Sequence, residues 1–255
     1  MLAWFTVLFL LLSVMTLYFG IQAYGGISFQ ALNKTTSSLL QLSFYFIPIA
    51  TLLLSALSAA GEWEDRTALL LWNVSGPLAV LFGKWAALML AMAVSISIGF
   101  GFSGLAAGLQ GLPNGWILLL LMGNFLLLSM VYLSIGLLVG TWSRNRVAAV
   151  LSSLLIWFFS IIIYPFLGMT VLLMAPSFLK PALSVGLNFI NPADLLRLYS
   201  VFKMGGEAVF GSQYYSLGKW SQTIWMDVTV MGLVIAWVSC CLWLAAAGWQ
   251  RKSRR

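Results

Sequence analysis

The chain has no histidine, so its 255 residues lack the commonest metal ligand, general base and near-neutral pH switch. Charged residues are scarce as well, at 7%, and only six of them are acidic. Asp227 alone among the six falls near the interior of a long apolar run. The intramembrane carboxylates and bases expected of proton- or sodium-coupled carriers are therefore missing. The two cysteines, Cys240 and Cys241, are adjacent and cannot form an ordinary disulfide with each other. The nearest approach to a phosphate-binding loop is residues 76–84. There, six residues separate Gly76 from Gly83, Trp85 stands where Ser or Thr is required, and no strand precedes. No nucleotide site follows from it. The absence of a paired intramembrane Asp or a Ser-His arrangement disfavours an enzyme, and the lack of a filter ring or polar pore-lining stripe disfavours a channel.

What is present is apolar. A hydrophobic fraction of 62% and a mean hydropathy of +1.00 lie far outside the range of soluble domains. Since about 20 residues cross a bilayer, the pattern predicts one all-α integral membrane domain. Its six spans fall at about 1–24, 39–60, 85–109, 116–140, 147–174 and 224–249. Residues 1–24 read as a retained first span, because no basic residue precedes the apolar run as a signal peptide requires. Pro48 predicts a kink in the second span and Tyr164-Pro165 a bend in the fifth. Residues 111–115 read as a tight hairpin. Ser95, Gly99, Ser103 and Ala107 recur every four residues and form a ridge another helix can approach closely. Gly136 and Gly140 offer a second such site. The eleven methionines read as packing residues rather than a copper path. The net charge of +7 is scattered through loops and tail without a basic, aromatic-interleaved face, so no nucleic-acid partner is expected.

Residues 61–84 hold half of the acidic residues between two apolar runs. Glu62, Glu64, Asp65 and Arg66 lie within five positions, and at about 2.5–3.5 kcal/mol per charge at a bilayer centre they belong in water. Residues 67–72 are helix-compatible. Ser75 is placed to cap a new helix with Pro77 in its first turn, so the segment reads as a charged, bent elbow. Residues 141–146 form a short basic loop on the same side, with Arg144 and Arg146. Residues 175–223 form the longest non-spanning region. Within it Asp194, Arg197, Ser200 and Lys203 share one helical face, which predicts an amphipathic helix on the membrane surface with its charges free above the interface. Arg66, Lys84, Arg144, Arg146, Arg251, Lys252, Arg254 and Arg255 lie on the elbow side, against Lys34, Lys180, Arg197, Lys203 and Lys219 opposite. Eight against five predicts a cytoplasmic elbow, both termini cytoplasmic and 175–223 external.

Several of these residues carry a family likeness. Gly61-Glu62, Glu64, Thr67, Leu69 to Leu71, Pro77, Gly83-Lys84, and Asn191-Pro192-Ala193-Asp194-Leu195-Leu196-Arg197 together resemble the permease subunits of ABC-2 type exporters. The likeness is greatest to the membrane subunit of the transporter that supports maturation of nitrous oxide reductase, a periplasmic copper enzyme. The resemblance implies a type V exporter-like permease fold in a bacterial inner membrane. It implies that ATP and magnesium are held by a separate cytoplasmic ATPase, contacted by Glu62, Trp63, Glu64, Asp65, Arg66, Arg144 and Arg146. A second copy of the chain and a periplasmic protein contacted by Asp194, Arg197 and Lys203 are the other implied partners, with membrane lipid around them. The competing readings are an ABC-2 exporter of a drug, lipid or polysaccharide, and a membrane scaffold that transports nothing.

Overall fold

A computed structural model describes residues 6–7, 10–11, 29–65, 76–109, 115–176, 178–203 and 223–253. Its helices are α1 (Phe29–Glu64), α2 (Pro77–Leu109), α3 (Gly115–Trp142), α4 (Arg146–Phe158), α5 (Tyr164–Met174), α6 (Lys180–Ile190), α7 (Pro192–Lys203) and α8 (Ile224–Ser253), with a π-helical turn Phe159–Ile163 joining α4 to α5. Five stretches are long and apolar enough to cross a bilayer: Gln41–Glu64, Leu78–Gly101, Leu119–Trp142, Arg146–Met174 and Ile224–Trp249. This is a multi-pass membrane protein. The first span expected at 1–24 lies outside the described residues except for helical positions 6, 7, 10 and 11, and most of the hairpin at 111–115 lies outside them too.

α3 is the central helix, packed against α1, α2, α7 and α8. Lipid supplies no hydrophobic drive for helices to associate, so contact depends on close approach. At Gly136 an added Cβ would stand 2.7 Å from the Leu52 carbonyl oxygen, and at Gly140 one would stand 2.7 Å from the Ala59 methyl. α1 and α3 thus touch backbone to backbone. Farther along, Phe125 meets the Phe44 ring edge-on at 6.0 Å and the Phe100 ring at 4.9 Å.

Two local features of the fifth span follow from single residues. Asn145 caps α4, its Oδ1 accepting the Ala148 N–H at 2.8 Å. Pro165 has no N–H, and its ring would strike the carbonyl four residues before it in a regular helix. The bend expected there is taken up by the wider π turn, in which the Tyr164 N–H reaches back to the Phe159 carbonyl. α1 continues through Pro48 without interruption.

The structure corrects the expected surface helix. Asn191, at the start of α7, donates to the Ser160 carbonyl at 2.8 Å and accepts from the Ser160 hydroxyl at 3.0 Å. That hydroxyl lies 2.6 Å from the Tyr132 hydroxyl, near the middle of the Leu119–Trp142 span. Higher on the helix, the Asn124 amide donates to the Leu196 carbonyl at 2.7 Å and to the Ser200 hydroxyl. At its end, Lys203 pairs with Asp227 at the start of α8, 2.8 Å away. α6 and α7 therefore form a re-entrant pair: the turn at Asn191 reaches mid-depth and α7 climbs to the end opposite the elbow. Backbone at that depth persists only where protein supplies its partners. Asn191 does so, capping α7 through Ala193 N–H at 3.2 Å while holding Asp194 at 2.8 Å.

The elbow is corrected in extent as well. Residues 61–64 are the last turn of α1, and α2 begins at Pro77, so the third span starts well before position 85. The Gly76 carbonyl accepts the Val80 N–H at 3.2 Å, which places Pro77 at the first helical position, where its missing N–H costs nothing.

Candidate functional site

The charged residues of the elbow and of the 141–146 loop meet at one end of the bundle. Arg146 opens α4 and turns toward the end of α1. Its guanidinium lies 2.6 Å from Asp65 Oδ2 and 3.3 Å from Glu64 Oε2, and its backbone N–H reaches the same Glu64 oxygen at 3.3 Å. The approach runs over Gly61, where an added Cβ would stand 3.3 Å from Arg146 Nε. Side-chain exposures of 49% for Arg146 and Glu64 and 59% for Asp65 keep this cluster in water. Exposed pairs of this kind contribute only about 0–1 kcal/mol each, so their value to the fold is small. Arg144, beside them, is exposed and makes no ion pair among the described residues.

Glu62 differs. It pairs with Lys84 of α2 at 2.6 Å, and Lys84 also donates to the Ser58 carbonyl at 2.7 Å. The Lys84 side chain is only 12% exposed. Sequence reasoning counted Lys84 as a topology charge and missed this pairing. Its signal was available, since Lys84 lies two turns into a helix that must return alongside α1. Trp63 tilts against the buried Trp249 of α8 at 5.2 Å, tying the third element to the same end. Arg66 lies outside the described residues.

A difference in stability should separate the two groups of charge. Lys84→Met leaves Glu62 facing a protein wall without its cation and should cost about 2 kcal/mol. This is less than the roughly 3–5 kcal/mol of a fully buried pair, because Glu62 keeps part of its side chain in water. Lys84→Met with Glu62→Gln should recover most of that loss in a detergent-melting measurement. Arg144→Gln should leave the midpoint unchanged.

At the opposite end, Asp194 and Arg197 face a cavity and Lys203 is held by Asp227. Of the small residues picked out by their spacing, Ser95 and Gly99 are buried on α2, Gly136 and Gly140 face α1, and the Ser103 side chain lies outside the described residues.

Two comparisons with known proteins bear on this arrangement. A family model described as ABC-2 family transporter protein matches residues 1–254. The chain is 30% identical over 249 residues, 95% of its own length and 86% of the relative's, to a protein of Pseudomonas aeruginosa named probable ABC transporter permease protein NosY. It is 28% identical over 257 residues, 97% of its length and 91% of the relative's, to the protein of that name from Stutzerimonas stutzeri.

Proposed function

The chain belongs to the ABC-2 transporter family as a permease subunit, and from that premise we propose that the charged face at the elbow end docks a separate cytoplasmic ATPase. The observation that carries this is the meeting of residues 61–65 and 144–146. Sequence-distant segments are joined there into one exposed patch in which, among the described residues, Arg144 makes no ion pair and Glu64 and Asp65 pair with Arg146. A face that mattered only to the fold would bury its charges as Glu62 and Lys84 do. ATP and magnesium belong to the partner, and its hydrolysis reaches the spans through α1 and α4, whose ends Arg146 ties together. In this reading the chain lies in a bacterial inner membrane with both termini cytoplasmic, and two copies pair with two ATPases.

The cargo-level reading is maturation of the copper enzyme nitrous oxide reductase, through an external partner at the α6–α7 end. It is supported by the resemblance carried by residues 61–84 and 191–197 and by relatives bearing a common name. Asp194, Arg197 and Lys203 are engaged within the chain or at its cavity, so the partner would read the rim of the re-entrant pair rather than a free charged face.

Co-expression with the cognate ATPase tests the docking face. Losing a charge pair buried at an interface costs about 2–5 kcal/mol. Arg144→Glu should therefore reduce ATPase retention at least about thirtyfold while leaving the permease's own melting midpoint in place. Arg146→Glu should do the same with a small loss of stability. An Arg144→Glu, Arg146→Glu permease that holds its ATPase as tightly as the unaltered chain removes the docking role.

A further inference from the structure

Between α5, α6 and α7 lies a cavity of about 300 Å³, on the side of the bundle opposite the elbow. Met169, Leu172 and Leu187 form an apolar wall, and Asn188, Asp194 and Arg197 form a polar one. Arg197 is the unusual member. Its Nε is buried without a hydrogen-bond partner, and none of the described carboxylates forms an ion pair with it. Its contacts are the faces of Phe44 at 5.7 Å and Tyr45 at 5.9 Å. Ring faces offset part of the cost of desolvating a guanidinium but provide no hydrogen-bond acceptor, and cations at this depth ordinarily pair.

Asp194 sits one turn before Arg197 on the same side of α7. Its Oδ2 is held by Asn191, and its Oδ1 takes no hydrogen bond among the described residues. Neighbours at this spacing stand about 5–6 Å apart at Cβ. The wall thus presents a cation and, one helical turn away, an anion, charges complementary to those of a phosphate and an ammonium joined through two carbons. The depth is also suitable. Phe44 and Tyr45 stand 17 to 18 residues before Glu62 on α1, about 26 Å along the helix at 1.5 Å per residue, which sets them near the far edge of a hydrocarbon layer about 30 Å thick when the elbow charges sit at the near edge. Met169, which lines the cavity, is 62% exposed, so an acyl chain can run out past it along the apolar exterior of α5. A volume at the lower end for ligand sites accommodates a headgroup and the first carbons of its chains.

We propose that this cavity is a binding site for one phospholipid with an ammonium-bearing headgroup, its phosphate on Arg197 and its ammonium on Asp194. The phosphate supplies the acceptor that Arg197 lacks in the protein. The ammonium meets the one charged group that would repel a purely anionic headgroup. The lipid closes the space between the re-entrant pair and the fifth span beside the π turn.

Native mass spectrometry of the purified, delipidated full chain, titrated with phosphatidylethanolamine and phosphatidylglycerol of matched chains and with inorganic phosphate, tests the site. One phosphatidylethanolamine should bind at least about tenfold more tightly than phosphatidylglycerol, and inorganic phosphate should not displace it. Arg197→Gln should lower the affinity about tenfold or more with Arg197→Lys recovering part of it, and Asp194→Asn should remove the headgroup preference while binding persists. Leu172→Trp, which fills the cavity without touching either charge, should also exclude the lipid, and it serves where Arg197→Gln fails to fold. Equal affinity for the two lipids, displacement by free phosphate, or unchanged binding in Arg197→Gln and Leu172→Trp would each overturn the assignment.

Discussion

Gly140→Leu is expected to abolish recovery of a folded protein, and Gly136→Leu to do nearly the same. The cause is the backbone contact of α1 with α3. A Cβ at Gly140 falls against the Ala56 carbonyl and within 3.0 Å of Ala56 Cα, and one at Gly136 falls against the Leu52 carbonyl and within 3.1 Å of Leu52 Cα. These obstacles are main chain and cannot rotate aside, so the helices must separate. Overpacking of a core by a few methylenes costs typically about 1–3 kcal/mol when side chains can yield. Here they cannot, and separating the two helices with the most extensive contact among the described elements should exceed about 4 kcal/mol. Gly123 and Gly232 provide the control, because nothing lies within 4 Å of a Cβ at either. Leucine at those positions should be neutral or slightly stabilising, since each removes a flexible residue from a helix. Fluorescence-detected size exclusion after detergent extraction measures both outcomes. A monodisperse Gly140→Leu protein with an unchanged melting midpoint would mean that α1 and α3 do not meet at these glycines.

The same contrast explains what the sequence made legible. Spans are a composition property, and their existence follows from apolar runs with no reference to any partner. The depth of α7 is a different matter. Asp194, Arg197, Ser200 and Lys203 share a face, and that pattern is identical whether the face meets water or polar groups of neighbouring helices. The deciding residues are Asn124, Tyr132 and Ser160, each unremarkable within its own apolar run and far from α7 in sequence. The family signature Asn-Pro-x-Asp gains its physical meaning only with them in place. Asn191 is the cap, Pro192 the first helical residue, and Asp194 the acceptor that fixes the Asn191 amide while its other bonds anchor the turn.

At the elbow, local charge was visible and its pairing was not. Glu62, Glu64 and Asp65 look equivalent along the chain, yet the 100° advance per residue of α1 sends Glu62 toward α2 and the other two toward Arg146. One carboxylate is thereby committed to the fold and two to a water-exposed rim. A charge reversal spread over all of them would mix destabilisation with loss of docking. For this reason Arg144, which supports neither pair, is the sharper probe.

On the proposed biological role, a cell lacking this gene is expected to make nitrous oxide reductase polypeptide at its usual level with its copper centres empty. The chain has no histidine, the commonest metal ligand, so copper ligation is not the contribution proposed for it. What it can contribute is a mechanical link between ATP hydrolysis at the elbow end and a protein at the α6–α7 end. The π turn and the Asn191 anchor lie between the two along α4 and α5. Loss of the docked ATPase removes the input to that link. Arg144→Glu, with docking impaired and the fold intact, should therefore reproduce the deletion, and wild-type gene on a plasmid should restore the metal content. Copper quantification and activity of the purified reductase measure it. A fully metallated, active enzyme in the deletion strain would exclude this role and leave the chain a permease of another ABC-2 exporter, whose cargo the external end would then have to select.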